Sequence, residues 1–152
     1  MASESSSSES KNKSEHHPLL EHAIPSENIP GGSEKILLID DDPTTLQVNA
    51  VILKGVGYDV TCVPGGEEAV ESVKQTPVDL LVLDIIMYPG IDGIETYRSI
   101  KKIYPNQKAI ILSGYAHASQ ISEAQKMGAG EYLVKPAPAD KLAHAVRHEL
   151  DK

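Results

Sequence analysis

Four short apolar runs in this chain each end in a polar group able to do chemistry. Lys35–Ile39 (KILLI) runs into Asp40, Asp41 and Asp42, and Leu80–Leu83 (LLVL) into Asp84. Ala109–Leu112 (AIIL) runs into Ser113, and Glu131–Val134 (EYLV) into Lys135. Carboxylates brought together raise one another's pKa, because each disfavours its neighbour's charge. A divalent cation relieves that, and hard oxygen donors in this number suit Mg²⁺ with several waters retained. A carboxylate at the end of a strand can act as a nucleophile and form an acyl phosphate. A dication and the Lys135 ammonium would neutralise charge building on the phosphoryl oxygens, and the Ser113 hydroxyl can donate a hydrogen bond to one of them. The same constellation is then a sensor, since a bound phosphoryl group gives Ser113 and Lys135 a new partner.

For these groups to meet, the runs must be neighbouring parallel strands, and the segments between them read as helices. Asp42 before Pro43 makes an N-cap with proline at the first helical position. It opens a stretch with apolar positions Leu46, Val48, Val51, Ile52 and Val56, closed by Gly55 and Gly57. Tyr58–Cys62 reads as a further short strand, and 66–74, 94–104, 119–127 and 139–150 as the remaining helices. Five strands and five helices in strict alternation predict an α/β fold. The expected form is a doubly wound, flavodoxin-like, five-stranded parallel sheet of order 2-1-3-4-5 with helices on both faces. In such sheets the site lies beyond the carboxyl ends of the strands, at the topological switch point. Neither GxGxxG nor GxxxxGK[ST] is present. Asp42 reads as a helix cap rather than a ligand, Cys62 as a small core residue, and Lys101–Lys102 as a solvated helix face.

The composition narrows the function classes. The chain has 152 residues, 40% of them hydrophobic, with no Phe or Trp and six Tyr, so its core must be aliphatic. A formal net charge of −8 argues against binding a phosphate backbone, and no contact with nucleic acid is expected. One cysteine excludes an intramolecular disulfide and a CxxC metal site, and suits a reducing compartment. No apolar run approaches the roughly 20 residues of a membrane span, and the N-terminus carries no signal-peptide core. A cytoplasmic protein without membrane contact is expected. Residues 1–33 are rich in Ser, Glu and Lys and end in a Pro-Gly-Gly break, which predicts a disordered tail or linker ahead of a domain over 34–152. His16, His17 and His22 lie in that predicted tail, where no partner is expected to be held in a fixed geometry for a metal, and Leu19–Leu20 reads as a local apolar pair.

The segments ILLIDDDP, LLVLDIIM…GIDG, IILSGYA and YLVKP, in this order and on these elements, resemble the four motifs of response-regulator receiver domains of two-component signalling. The resemblance covers residues 35–152. It implies a phosphoacceptor switch that takes a phosphoryl group from a phosphohistidine of a sensor histidine kinase or a histidine phosphotransfer protein. By the same resemblance Asp84 is the phosphorylated aspartate, and Asp40 and Asp41 are the acidic pair that holds Mg²⁺, with Asp41 the more direct ligand. The backbone carbonyl of Ile86 is a further ligand, Ser113 the switch hydroxyl, Tyr132 the switch aromatic, and Lys135 the phosphate-contacting lysine. A cis bond before Pro136 is implied as well. Phosphorylation is expected to draw Ser113 towards Asp84 and Tyr132 inward. That would alter the face of the fourth helix, fifth strand and fifth helix, where a downstream protein would dock on a monomer or weak homodimer.

The chain departs from the family in places. Where the family usually runs Met-Pro-x-x-Asp-Gly after the phosphoacceptor, IIMYPGIDG carries one extra residue, most simply Tyr88, and Ala137 stands where Phe is common. Ile86 and Tyr115, two residues past Asp84 and Ser113, are bulky and cannot orient a water. They predict slow self-dephosphorylation by shielding the phosphorus. Aspartyl-phosphate chemistry also occurs in haloacid-dehalogenase-like hydrolases, but these place a second Asp where this chain has Ile86. A degenerate receiver that only binds a partner is the third reading, against which the full set of polar residues counts. No helix-turn-helix or cyclase segment follows the last helix, so DNA binding by this chain is not expected. The linker and receiver together are similar to those at the C-terminus of hybrid sensor kinases, so a free-standing regulator and a hybrid-kinase receiver both stand.

Overall fold

The computed structural model describes residues 29–152. The strands are β1 (Lys35–Ile39), β2 (Asp59–Val63), β3 (Leu80–Leu83), β4 (Lys108–Ser113) and β5 (Tyr132–Val134). Between and after them lie α1 (Pro43–Gly55), α2 (Gly66–Gln75), α3 (Gly93–Ile103), α4 (Ala118–Lys126) and α5 (Ala139–Leu150). All neighbouring strands pair in parallel, in the expected order β2-β1-β3-β4-β5. No helix of the described residues is long and apolar enough to cross a membrane.

The alternation of side chains along a strand divides the core into two layers. Leu37, Ile39, Leu81 and Leu83 face one way and pack with Ala69, Val73, Ile94, Tyr97, Ile100 and Ala124 from α2, α3 and α4. Ile36, Leu38, Leu80 and Val82 face the other way and pack with Ile52 and Leu53 of α1 and Leu142 and Val146 of α5. Both faces of β1 and β3 are therefore apolar, which is why KILLI and LLVL read as continuous runs rather than alternating ones. The cap of α1 is as expected: the Asp42 carboxylate accepts from Thr44 N–H at 3.2 Å and from the Thr45 hydroxyl at 2.7 Å. Gly57, at φ 108°, follows that helix in the left-handed region that only glycine adopts cheaply.

Two sequence expectations change. Cys62 is exposed, not a core residue, because it stands on the edge strand β2, where only Val63 is buried. The Pro-Gly-Gly break is held against the domain in part. Gly32 N–H donates to Val56 O at 3.1 Å, and the Arg147 guanidinium on α5 donates to Gly31 O at 3.2 Å. The expected tail residues 1–28, with the three histidines and Leu19–Leu20, lie outside the described residues.

Arg147 also grips the Glu34 carboxylate with two nitrogens, at 3.1 and 2.8 Å, and Asp151 at 2.8 Å. The hydrogen bond from Arg147 holds the Glu34 carboxyl at about 2, below its ordinary value of 4.5. A carboxylate with a lowered folded-state pKa stabilises the fold above the ordinary value, and that contribution disappears as pH falls through the folded one. Urea unfolding of Glu34→Gln beside the wild type is therefore expected to show a smaller loss of stability between pH 4.5 and about 2. Identical acid profiles would show that the clamp does nothing for the fold.

Candidate functional site

Register places the polar groups. Ile39 pairs with Leu83, so Asp40 and Asp84 leave the sheet side by side at the carboxyl ends of β1 and β3. Leu83 pairs with Ile111 and Ser113 with Val134, which brings Ser113 and Lys135 up beside them. Lys135 N–H donates to Ser113 O at 2.9 Å and is followed by a cis bond to Pro136.

Asp84 is only 3% exposed, and its carboxylate is surrounded by donors. The Ser113 hydroxyl donates to Oδ1 at 2.6 Å and Ile86 N–H donates to the same oxygen at 3.1 Å. Lys135 Nζ donates to Oδ2 at 2.9 Å and lies 2.6 Å from Asp40 Oδ2. Asp40 accepts Asp42 N–H on its other oxygen at 2.9 Å. Asp41 is exposed and accepts Tyr88 N–H at 3.1 Å.

Burial pushes the Asp40 carboxyl up, the nearby Asp84 charge adds to this, and the Lys135 hydrogen bond only partly offsets it. Burial alone would pull the Lys135 ammonium down. Its hydrogen bonds to Asp40 and Asp84 outweigh that, and its pKa ends above the ordinary value. An ammonium shared by two buried carboxylates stays charged throughout the physiological range.

Asp40, Asp41 and Asp84 each offer an oxygen within 4.8 Å of the others, and they are the group of three such ligands among the described residues. Every donor is a carboxylate oxygen, a set that fits a small hard dication.

The structure brings together six of the seven residues singled out from the sequence: Asp40, Asp41, Asp84, Ile86, Ser113 and Lys135. Tyr132 sits a step away, half-buried against the α2–α3–α4 core layer, with its hydroxyl donating to Gly114 O. Two expectations need correction. Ser113 already touches Asp84 and Tyr132 is already packed inward, so the displacement expected on phosphorylation has no such starting point here. Tyr115 is 94% exposed and covers nothing over Asp84. It occupies a loop tip with no packed neighbour to hold it over the acceptor. Ile86 is half-buried, its side chain packed against the core layer.

Gly93, at the start of α3, is a site residue that nothing in the sequence singles out beyond its place in GIDG. Its N–H donates to Ile85 O at 2.9 Å, and a Cβ there would come within 2.2 Å of Asp84 O. The helix seats directly on the backbone that carries the acceptor, and only the lack of a side chain permits it.

A rim of buried carboxylates, a hydroxyl and an ammonium on this sheet defines a signalling receiver module, and the chain belongs to the response regulator receiver domain family, which it matches over residues 36–147. It is 38% identical over 112 residues to the transcriptional regulatory protein ZraR of Klebsiella oxytoca, across 74% of this chain and 25% of that protein. It is 32% identical over 114 residues to the chemotaxis protein CheY of Thermotoga maritima, across 74% of this chain and 94% of that one. The crystal structure of a CheY-like response regulator receiver domain protein from Methanospirillum hungatei superposes with a TM-score of 0.74 at 28% identity, over 79% of this chain and 95% of that one. The chain spans about a quarter of the length of the ZraR relatives.

Proposed function

We propose that this chain takes a phosphoryl group from a phosphohistidine of a sensor histidine kinase or histidine phosphotransfer protein onto Asp84, and signals through the change that follows. The observation that carries this reading is the convergence of the Ser113 hydroxyl and the Lys135 ammonium on the buried carboxylate of Asp84, with Asp40 sharing the same ammonium. A carboxylate oxygen of Asp84 attacks phosphorus, the N–P bond of the donor breaks, and its electron pair returns to the imidazole. Lys135 then pairs with a phosphoryl oxygen in place of the carboxylate, and the Ser113 hydroxyl donates to another. Asp40, Asp41, Asp84 and the Ile86 carbonyl would hold Mg²⁺, whose charge offsets that building on the phosphoryl oxygens.

The contact already made between Ser113 and Asp84 changes the expected switch. A phosphoryl group must part the two residues and take the hydroxyl for itself, and Gly114, held by Tyr132, follows it. This biases the face of α4, β5 and α5 between states, as differential contact with a ligand requires. A downstream protein docks on that face of a monomer or weak homodimer in the cytoplasm. The chain itself removes the phosphoryl group slowly. That rests on Ile86, which offers no acid or amide to orient a water; it also counts against a hydrolase.

The test is label transfer from acetyl phosphate to the wild type and to Asp84→Asn, each with Mg²⁺ and with EDTA. Label is expected only on the wild type with Mg²⁺. Equal labelling of Asp84→Asn, or none on the wild type, would overturn the reading.

A further inference from the structure

Asp84 is 3% exposed, so a protein donor has to press its phosphohistidine into the mouth of the site and cover the surrounding loops. Two of those loops carry tyrosines that the chemistry does not use. Tyr88 follows β3 and is 76% exposed, and Tyr115 follows β4 and is 94% exposed. Isolated exposed tyrosines are ordinary, but Tyr88 differs in how its backbone is held. Met87 before it is buried, its own N–H is bonded to Asp41 Oδ2 at 3.1 Å, and Ile91 N–H is bonded to Glu67 Oε2 at 3.1 Å. An aromatic ring therefore stands in solvent on a loop tied down at both ends, beside a metal-ligand candidate and touching no part of the acceptor's own hydrogen-bond network.

We infer that Tyr88 is a partner-recognition residue, an anchor that the phosphohistidine-bearing protein covers when it delivers its phosphoryl group to Asp84. The inference rests on the phosphoacceptor reading and deepens it by naming what selects the donor. A tyrosine on a tethered backbone has only two side-chain torsions to lose on contact, and such aromatics are enriched among the residues that dominate binding energies at interfaces. On α1, Val48 is 49% exposed and borders a groove of about 340 Å³ lined also by Lys135, Pro136 and Ala137. The mouth also exposes Asp41 and Asp42. Charge complementarity then assigns the occupant: a protein whose phosphohistidine sits among apolar side chains with basic residues at the edge. A small phosphodonor needs none of this surface.

That difference supplies the experiment. Wild type, Tyr88→Ala and Tyr88→Phe are labelled with acetyl phosphate. They are then labelled with a panel of purified, phosphorylated sensor kinases and histidine phosphotransfer proteins from the source organism. The backbone N–H that meets Asp41 survives both substitutions. The expected result is that acetyl phosphate labels all three alike. Transfer from the best protein donor should fall about tenfold in Tyr88→Ala, through a raised KM rather than a lowered kcat, and be largely kept in Tyr88→Phe. Unchanged protein transfer in Tyr88→Ala would overturn the inference, as would equal loss with both donor types, which would make the loop part of the chemistry. A panel that fails on the wild type while acetyl phosphate succeeds also counts against it. If acetyl phosphate itself fails on the wild type, it is the phosphoacceptor reading that falls.

Discussion

Lys135→Met is expected to cost about 3–5 kcal/mol of stability in EDTA at neutral pH, the usual penalty for removing one partner of a buried ion pair. Lys135 lies 2.6 Å from Asp40 and 2.9 Å from Asp84, whose side chains are almost wholly buried. Methionine fills similar space but leaves two carboxylates facing each other at low dielectric. Two conditions should return part of the loss. Mg²⁺ held at the proposed site of Asp40, Asp41 and Asp84 would stabilise the folded state by mass action. Acid works because Asp40 already has a raised folded-state pKa. A carboxyl of that kind binds its proton more tightly when folded, so its burden grows as pH rises from the ordinary 3.8 through the folded value and is absent below. Urea unfolding with EDTA, with Mg²⁺ and across that acid range checks all three. An unfolding midpoint equal to wild type in EDTA would mean that Lys135 is not balancing these charges.

Gly93→Ala sets two effects against each other. Glycine is a poorer helix former than alanine, by less than the roughly 1 kcal/mol of a helix interior at this first position, so propensity alone predicts a small gain. The added Cβ, however, would lie 2.2 Å from Asp84 O and 2.6 Å from Ile85 Cα, and these are backbone atoms that cannot rotate away. Overpacking of this kind costs about 1–3 kcal/mol, and the contact wins. The variant should be destabilised and should also label poorly with acetyl phosphate, because the strain falls on the segment that aims Asp84. A variant more stable than wild type, with normal labelling, would show that α3 does not seat on the acceptor strand.

The polar residues were legible in the sequence because each ends an apolar run, and a parallel sheet has one place for such ends to gather. Asp42 announced itself through Pro43, and the alternation of runs and helices pointed to a parallel, doubly wound sheet. Contacts between distant segments were not legible. Arg147 and Glu34 stand far apart in sequence and belong to no periodic pattern. Gly93 looks like an ordinary helix-start residue until the helix is packed onto Asp84. Side-chain direction in loops failed for a related reason. Spacing past Ser113 suggests a covering role for Tyr115, yet spacing does not orient a side chain where no packed neighbour holds it. Cys62 misled in the opposite sense, as a small apolar residue on a strand whose outer edge no neighbour covers.

The central claim is that Asp84 carries the phosphoryl group, and borohydride trapping tests it most directly. Borohydride reduces an aspartyl phosphate to homoserine while leaving free carboxylates intact, so peptide mass mapping reads the acceptor position from the wild-type protein itself. After treatment with acetyl phosphate and Mg²⁺, homoserine is expected at position 84 and nowhere else, and its yield should collapse when EDTA replaces the metal. Homoserine at position 40 or 41, or none at position 84 in protein that has taken up label, would contradict the account.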